Sequence, residues 1–192
     1  SGILVSKGLL KNEIKFFYRS YIKFKKKNLP FVTCKLAVSK DLFTINKKKK
    51  RWITNKFSRG RVHLMRANHD CLITRSATII KDNPLLTCRI KGLEKRTPTR
   101  IILDRKLKIP LNSKILQDAF KYKTIIFYNK INKEKIKLLK KIRVKTIQIS
   151  LNEYGQINLI EALLKAKELG MSRIFIESGI TLAREFFKKK LI

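Results

Sequence analysis

The chain contains few cysteines and no long apolar run. The three cysteines, Cys34, Cys71 and Cys88, show no C-x-x-C spacing. This argues against a disulfide-rich domain and a cysteine zinc site, and we expect reduced core residues and no bound metal. No run approaches the ~20 apolar residues of a membrane-spanning helix, and residues 1–10 lack the hydrophobic region of a signal peptide. We therefore expect a cytoplasmic protein with no membrane partner.

Acidic residues are also scarce. The chain has 13 Asp and Glu against 47 Lys and Arg, which gives a formal net charge of +34. Taken alone, this charge indicates a nucleic acid or an anionic surface as partner. Lysine greatly outnumbers arginine, however, and isoleucine and asparagine are abundant, which indicates a compositional bias spread over all exposed faces. The positive field would also attract phosphorylated small molecules within a Debye length of roughly 8–10 Å.

The apolar residues predict a folded α/β domain. Their share of 44% in 192 residues argues against disorder and allows one ordinary domain with a core. Apolar runs predict strands at residues 31–38, 71–74, 100–103, 124–128, 146–151 and 173–177. Helical periodicity predicts helices at residues 11–25, 55–68, 133–141, 158–169 and 181–190. This alternation predicts a three-layer α/β fold with a mostly parallel sheet and helices on both faces.

Residues 52–89 contain the clearest functional pattern. Thr54 is predicted to cap a helix that starts at residue 55, and a strand at residues 71–74 follows that helix. Residues 76–84 then form a predicted polar turn just beyond the strand. Because ligands of open α/β sheets bind beyond the carboxyl ends of the strands, we predict that this stretch forms the wall of a ligand site.

Three ordered motifs lie in this stretch: W-I-T at residues 52–54, H-x-x-R-A-x-x-D at 63–70 and T-x-x-x-D-x-P-x-L-T-x-R at 78–89. Further blocks lie at residues 35–39, 99–104 and 177–183. Together they resemble the reductase half of the bifunctional riboflavin-biosynthesis deaminase/reductase, a family with a dihydrofolate-reductase-like fold. The resemblance covers about residues 30–192.

The resemblance implies a division of the chain. Residues 1–29 would be the end of an upstream deaminase domain and its linker, and residues 30–192 a reductase domain truncated at its C-terminus. The zinc motif of such deaminases, a His-x-Glu followed by paired cysteines, is absent. We therefore expect zinc only in a deaminase domain outside these residues.

The resemblance also implies an activity. The chain would be an NADPH-dependent oxidoreductase that reduces the ribosyl group of 5-amino-6-(5-phosphoribosylamino)uracil to the ribitylamino product in riboflavin biosynthesis. The phosphoribosylaminopyrimidine is then the small-molecule substrate, and we expect a homo-oligomer. No G-x-G-x-x-G occurs, so the glycine-rich Rossmann fingerprint is excluded.

Site residues follow from the same resemblance. Lys35 and Glu177 are expected to be catalytic, Lys35 as a ribose contact or proton donor. Residues expected to bind the cofactor are Ala37, Trp52, Thr78, Asp82, Arg105, Gly179, Ile180, Thr181 and Leu182. Residues expected to bind the substrate are Lys50, Arg66, Leu86, Arg89 and Glu177.

Several of these residues have a structural alternative. Arg66 and Arg89 can each bind a phosphate through two hydrogen bonds, or form surface salt bridges. Lys35 could instead extend along a half-exposed strand, and residues 177–181 could form a structural turn instead of an anion site at a helix N-terminus. We interpret His63 as a helix-surface or packing histidine and not as a general acid.

The chain departs from the family pattern at three places. Asp-Leu at residues 41–42 replaces a usual Asp-Gly, and leucine adopts a positive φ only at a cost. Lys50 replaces a serine that contacts the substrate. Arg105 replaces a small residue, and its guanidinium could meet the 2′-phosphate of NADPH. Trp52 could stack on a ring or anchor a helix, and Asp82 could only cap a turn.

Two other functions stay open. The first is a basic nucleic-acid-binding protein of ribosomal type, and the second is a catalytically degenerate reductase domain. A ribosomal protein would tend to carry its basic residues in tails and loops of low apolar content. Here the lysines are interleaved with an α/β core, which favours the reductase and makes nucleic acid an unexpected partner. The changes at residues 41–42 and Lys50 favour the degenerate domain.

Overall fold

The computed structural model describes residues 2–40 and 53–192. The predictions for Lys50, Trp52 and the turn at residues 41–42 lie outside these residues. Within the described part, no helix has the length and apolar character needed to cross a membrane. The same part contains no cluster of three or more His, Cys, Asp or Glu residues that could hold a metal ion.

Six parallel strands form one sheet in the described part of the chain. They are β1 (Phe31–Lys35), β2 (Cys71–Arg75), β3 (Thr99–Leu103), β4 (Thr124–Tyr128), β5 (Lys145–Gln148) and β6 (Arg173–Glu177). Their order is β1-β6-β2-β3-β4-β5, and all neighbouring pairs run parallel. The inner strands consist largely of buried Ile, Leu and Phe residues, as a sheet covered on both faces requires. The predicted parallel sheet is confirmed.

Helices cover both faces of this sheet. They are α1 (Lys11–Phe17), α2 (Arg19–Lys26), α3 (Lys56–Ala67), α4 (Ser76–Asp82), α5 (Lys114–Gln117), α6 (Lys133–Lys141), α7 (Leu159–Glu168) and α8 (Ile180–Lys188). Leu163 of α7 and Phe186 of α8 belong to the core on one face. Ile79 of α4, Leu116 of α5 and Leu139 of α6 belong to the core on the other, where α3 also packs. The predicted three-layer architecture is confirmed.

Two predicted elements are shorter or divided in the structure. The helix predicted at residues 11–25 is interrupted at Tyr18, and neither α1 nor α2 contains a buried residue. Without a core to pack on, little stabilises one continuous helix. The strand predicted at residues 31–38 ends at Lys35, because its neighbour β6 ends at the paired residue Glu177.

The turn predicted at residues 76–84 was wrong, because most of it is helix α4. Its polar sequence gave no clear helical pattern, but Ile79 is buried in the core and ties the segment to the sheet. The helix ends at Asn83, which adopts φ 42°. The cap predicted at Thr54 was also wrong. Asn55 caps α3, and its side chain accepts a hydrogen bond from the Ser58 N–H at 2.8 Å.

The cysteines are free thiols. Cys71 and Cys88 are buried, and Cys34 is partly buried. Burial raises the pKa of the Cys71 thiol well above its ordinary value, which keeps it protonated and unreactive. The prediction of core cysteines is confirmed for these two residues.

His69 connects the end of α3 to β1. Its Nδ1 lies 2.6 Å from the Met65 carbonyl oxygen, and its Nε2 lies 3.0 Å from the Thr33 hydroxyl. A neutral ring satisfies both contacts, with Nδ1–H donating and Nε2 accepting. Burial lowers the pKa of His69, and the hydrogen bond to Met65 opposes this shift. The fold therefore favours an uncharged His69.

We expect the free energy of unfolding to decrease as the pH falls from about 7.5 to about 5.5. A folded-state pKa below the unfolded value of about 6.5 means that the unfolded chain binds more protons in acid. The stabilisation by neutral His69 is therefore complete above the unfolded-state pKa of about 6.5, and it is lost as the pH falls through the folded-state pKa. Urea unfolding across this range measures the effect, and His69→Gln should reduce the slope. An unchanged slope in this variant would contradict a neutral, stabilising His69.

Candidate active site

Polar side chains lie at or next to the carboxyl ends of three adjacent strands of the sheet. Lys35 of β1 is the register partner of Glu177 of β6. Thr74 of β2 follows the last paired position between β2 and β6. Thr33 contacts His69 at the end of α3, and side chains alternate along a strand, so Lys35 faces the α3 side. We call Lys35, Glu177 and Thr74 the polar row.

Thr74 is fully buried, and its hydroxyl has no hydrogen-bond partner among the described residues. It lies two residues after Leu72, which packs in the core beneath α3 and α4, so its side chain faces the same layer. Thr74 was not among the residues expected from the sequence, where it stands at the end of an apolar run. Only its position beside Glu177 in the sheet identifies Thr74 as a candidate site residue.

Helix α3 places Arg66 against Glu177. Arg66 Nε donates to Glu177 Oε2 at 2.8 Å, and Arg66 Nη2 donates to Oε1 at 2.7 Å. Its Nη1 donates to the Thr87 carbonyl at 2.7 Å. The side chains are only 10% and 15% exposed, so this is a mostly buried ion pair and not a surface salt bridge. The two parallel bonds give the Glu177 carboxylate one orientation.

His63 lies one turn before Arg66 and contacts the segment after Leu86. Its Nδ1 is 3.1 Å from the Thr87 carbonyl oxygen and 3.2 Å from the Arg89 backbone nitrogen. Burial lowers the pKa of His63, and the charges of Arg66 and Arg89 lower it further. A neutral ring with these protein contacts agrees with a packing histidine. The Arg89 side chain is exposed on this side.

The segments that follow β2 and β6 meet at Thr78 and Ser178, whose hydroxyl oxygens are 3.2 Å apart. Ser178 leads into α8, whose N-cap residue Gly179 makes no side-chain capping bond. A Cβ on Gly179 would meet no heavy atom within 4 Å, so open space adjoins this turn. Uncapped N–H groups beside open space can bind an anion. Ile180 and Thr181 are exposed in the first turn of the helix.

A cleft of about 490 Å³ opens on the opposite face of the same edge, between the ends of β2 and β3 and helix α8. Its lining includes the cationic side chains of Arg105, Lys106 and Lys108, together with the carboxylates of Asp104 and Glu185. Leu182 and Tyr154 add apolar surface. The structure thus brings together two of the residues expected for the cofactor, Arg105 and Leu182.

Two contacts shape this cleft. Arg105 Nη1 donates to the carbonyl of Gly155, in a turn closed by the antiparallel bridge between Leu151 and Ile157. Arg75 Nη1 pairs with Glu185 Oε1 at 3.5 Å, which joins the end of β2 to α8. The Arg105 guanidinium therefore lines the cleft while its hydrogen bond to the Gly155 carbonyl holds it in place.

Three expected site residues lie apart from these contacts. Leu86 packs in the core with only 5% of its surface exposed. Asp82 is exposed at the last residue of α4, one turn beyond Thr78. Ala37 is half-buried, two residues after β1 ends.

Residues 30–192 match the model of the family described as the RibD C-terminal domain. The chain belongs to this family. The riboflavin biosynthesis protein RibD of Aquifex aeolicus is 31% identical over 191 residues, covering 98% of this chain and 51% of the relative. A Buchnera aphidicola (subsp. Acyrthosiphon pisum) protein named 5-amino-6-(5-phosphoribosylamino)uracil reductase is 30% identical, covering 74% of this chain and 70% of its own length.

Solved RibD structures share the fold. Acinetobacter baumannii RibD, in its second form, superimposes with a TM-score of 0.78 at 26% identity, over 100% of this chain and 51% of that one. The Thermotoga maritima deaminase/reductase gives a TM-score of 0.77 at 27% identity, over 98% and 50%. The dihydrofolate-reductase-like fold expected from the sequence is confirmed. The chain spans about half the length of these RibD proteins and of the Aquifex relative.

Replacing Glu177 by Gln in this RibD C-terminal domain should destabilise it by about 3 kcal/mol, because Arg66 would keep a mostly buried charge without a carboxylate. Urea unfolding measures the loss. The matched control is Glu168→Gln, which removes the carboxylate that pairs with Lys165 on the exposed face of α7. The control should leave the free energy of unfolding unchanged. Equal losses in the two variants would contradict a special contribution of the Arg66–Glu177 pair.

Proposed function

We propose that this domain reduces the ribosyl group of 5-amino-6-(5-phosphoribosylamino)uracil to the ribityl group of the riboflavin pathway, with NADPH as reductant. Family membership supports this proposal, since the Buchnera relative carries the name of this reductase. The observation that carries it is the geometry of one sheet edge. The polar row lies on the α3 face, the cleft opens on the α8 face, and Thr78 meets Ser178 between the ends of β2 and β6.

The cleft and the turn before α8 fit a nicotinamide dinucleotide. The volume of about 490 Å³ lies within the range of roughly 300–1,000 Å³ typical of small-molecule sites. Arg105, Lys106 and Lys108 suit a ligand with several phosphates, and the uncapped N-terminus of α8 suits one of them. When bound, such a cofactor supplies a hydride.

The polar row would handle the sugar. When the ribose ring opens, C1′ forms an imine with the exocyclic nitrogen, and the reduction adds one hydride to C1′ and one proton to nitrogen. We assign the proton to the ammonium group of Lys35. Glu177 lies beside Lys35 in the register and would accept hydrogen bonds from ribose hydroxyls, while Arg66 keeps its carboxylate in one orientation.

The substrate phosphate would bind through Arg89. Its side chain is exposed beside His63, whereas the Arg66 guanidinium is already paired with Glu177 and Thr87. Arg66 is therefore assigned to positioning Glu177 and not to the phosphate. We also propose that residues 1–29 form a linker to another domain, which is supported by the start of the family match at residue 30.

Incubation with 5-amino-6-(5-phosphoribosylamino)uracil and NADPH deuterated at the transferred position tests the proposal. We expect loss of the reduced-nicotinamide absorbance and a ribitylamino product with deuterium at C1′. Lys35→Met should reduce turnover by at least roughly a hundredfold, the lower end of the typical effect of one general acid. The variant should still be stabilised by NADPH in a thermal melt, because Lys35 lies on the other face from the cleft.

A folded protein that transfers no deuterium and gains no thermal stability from millimolar NADPH would contradict the proposal. Tight, salt-sensitive RNA binding by the same sample would then support a nucleic-acid-binding protein. NADPH binding without turnover would instead support a degenerate reductase domain.

Arg105→Ala should reduce the preference for NADPH over NADH by about tenfold, because one charge-assisted contact to the 2′-phosphate is lost. The ratio of kcat/KM for the two cofactors measures the preference. Lys141→Ala on the exposed end of α6 removes a cation far from the cleft and serves as control. If both variants leave the ratio unchanged, Arg105 does not bind the 2′-phosphate. If both lower it, the general positive field is responsible.

A further inference from the structure

Arg100 of β3 carries a guanidinium that is fully buried. Its Nη2 donates to the carbonyls of Ile115 and Tyr122 at 3.1 and 3.0 Å and to the Thr124 hydroxyl at 2.6 Å. Its Nη1 lies 2.6 Å from Asp118 Oδ1 and donates to the Leu85 carbonyl at 3.0 Å. One side chain thus connects the sheet to three segments that are distant from it in sequence.

A charge at this position is not the most stable choice. Burying a guanidinium costs free energy even when every donor is paired, and apolar residues in place of a buried ion pair are often as stable or more so. Neighbouring positions of β3 are filled by Ile101 and Ile102, which are fully buried. Burial lowers the pKa of Arg100, and the carboxylate of Asp118 opposes this shift. A role in placing another part of the structure explains the arginine better than stability does.

The segment that Arg100 reaches is residues 83–89, which we call the anchored loop. Leu86 adopts φ 56° there, a left-handed conformation that costs a leucine about 1–2 kcal/mol. Such strain persists only where the surroundings determine the backbone. The loop is attached at both ends of the strained residue, at the Leu85 carbonyl by Arg100 and at the Thr87 carbonyl by Arg66.

These contacts form a continuous path to the polar row. The path runs from Arg100 through Leu85 to the Thr87 carbonyl, and from there through Arg66 to Glu177. Beyond Thr87, the Arg89 backbone N–H donates to His63. Movement of the Leu85 carbonyl would therefore shift the acceptor of Arg66 and the backbone that carries Arg89.

We propose that Arg100 is a positioning residue for substrate binding: by holding the Leu85 carbonyl, it keeps the anchored loop against Arg66 and His63. The proposal rests on the proposed reductase function. Arg100 does not touch the substrate in this scheme. It acts through the loop, so its loss affects the substrate side of the site and not the cleft on the other face of the sheet.

Arg100→Lys tests the proposal, because lysine keeps the charge near Asp118 but cannot donate in so many directions. We expect the KM for the pyrimidine substrate to rise about tenfold. This effect is smaller than the roughly hundredfold loss of activity that a misplacement of a site group by about 1 Å can cause. The KM for NADPH should change by less than about twofold, which is a smaller effect than the loss of one hydrogen bond to the cofactor would cause. Amide hydrogen exchange at Cys88 and Arg89 should become faster.

Thr124→Val is the matched control. It removes the hydroxyl that accepts from Arg100 at 2.6 Å but leaves the contact to Leu85. It should lower stability without changing the substrate KM or the exchange at residues 88–89. If Arg100→Lys does not fold, Asp118→Asn provides the second variant, with smaller changes in the same direction.

Unchanged exchange at residues 88–89 in Arg100→Lys, or in Asp118→Asn where that variant is used, would overturn the proposal. An equal rise of the substrate KM in Thr124→Val would also overturn it, because general destabilisation would then explain the effect. Absence of turnover in the parent protein would overturn the proposed function and with it the role of Arg100 in substrate binding. Faster exchange together with a selective rise in the substrate KM supports both.

Discussion

The ion pair between Arg66 and Glu177 determines how the helical layer meets the sheet at the candidate active site. Arg66 belongs to α3 and Glu177 ends β6, and Nε and Nη2 of the guanidinium both donate to the carboxylate. A bidentate pair permits little rotation or sliding. The position of α3, and of every residue that α3 contacts, is therefore linked to the carboxyl end of one central strand.

One sheet edge carries polar groups on both of its faces because side chains alternate along its strands. Glu177 faces the layer of α3, whereas the cleft with Leu182 lies on the side of α8. The segments that follow β2 and β6 meet at this edge through Thr78 and Ser178. A reaction between two bound molecules requires such adjacency, since the reacting atoms must approach within about 3.5 Å. The proposed reaction relies on this meeting point of the two segments.

The sequence predicted the strands best, because buried parallel strands are nearly continuous apolar runs. Strands β4 and β6 have the predicted bounds, and so does one helix, α6. It failed at α4, where one buried side chain, Ile79, outweighs a polar sequence. The approach of Lys35 to Glu177 could be expected from strand ends and family resemblance. The pairing of Arg66 with Glu177 and the contact of Arg100 with the Leu85 carbonyl could not, because such contacts join residues that only the tertiary fold brings together.

The strand order also sets the sequence in which the domain can assemble. Strand β6 lies between β1 and β2, and it is the only strand paired with β1 among the described residues. Phe31 pairs with Arg173, so most of the chain separates the two partners. During synthesis, β1 cannot form its pairing with β6 until β6 has left the ribosome. Such long-range parallel pairing forms slowly. Lys35 and Glu177 can consequently come together only after residue 177 has been synthesised, and a nascent chain that ends before this residue lacks Glu177.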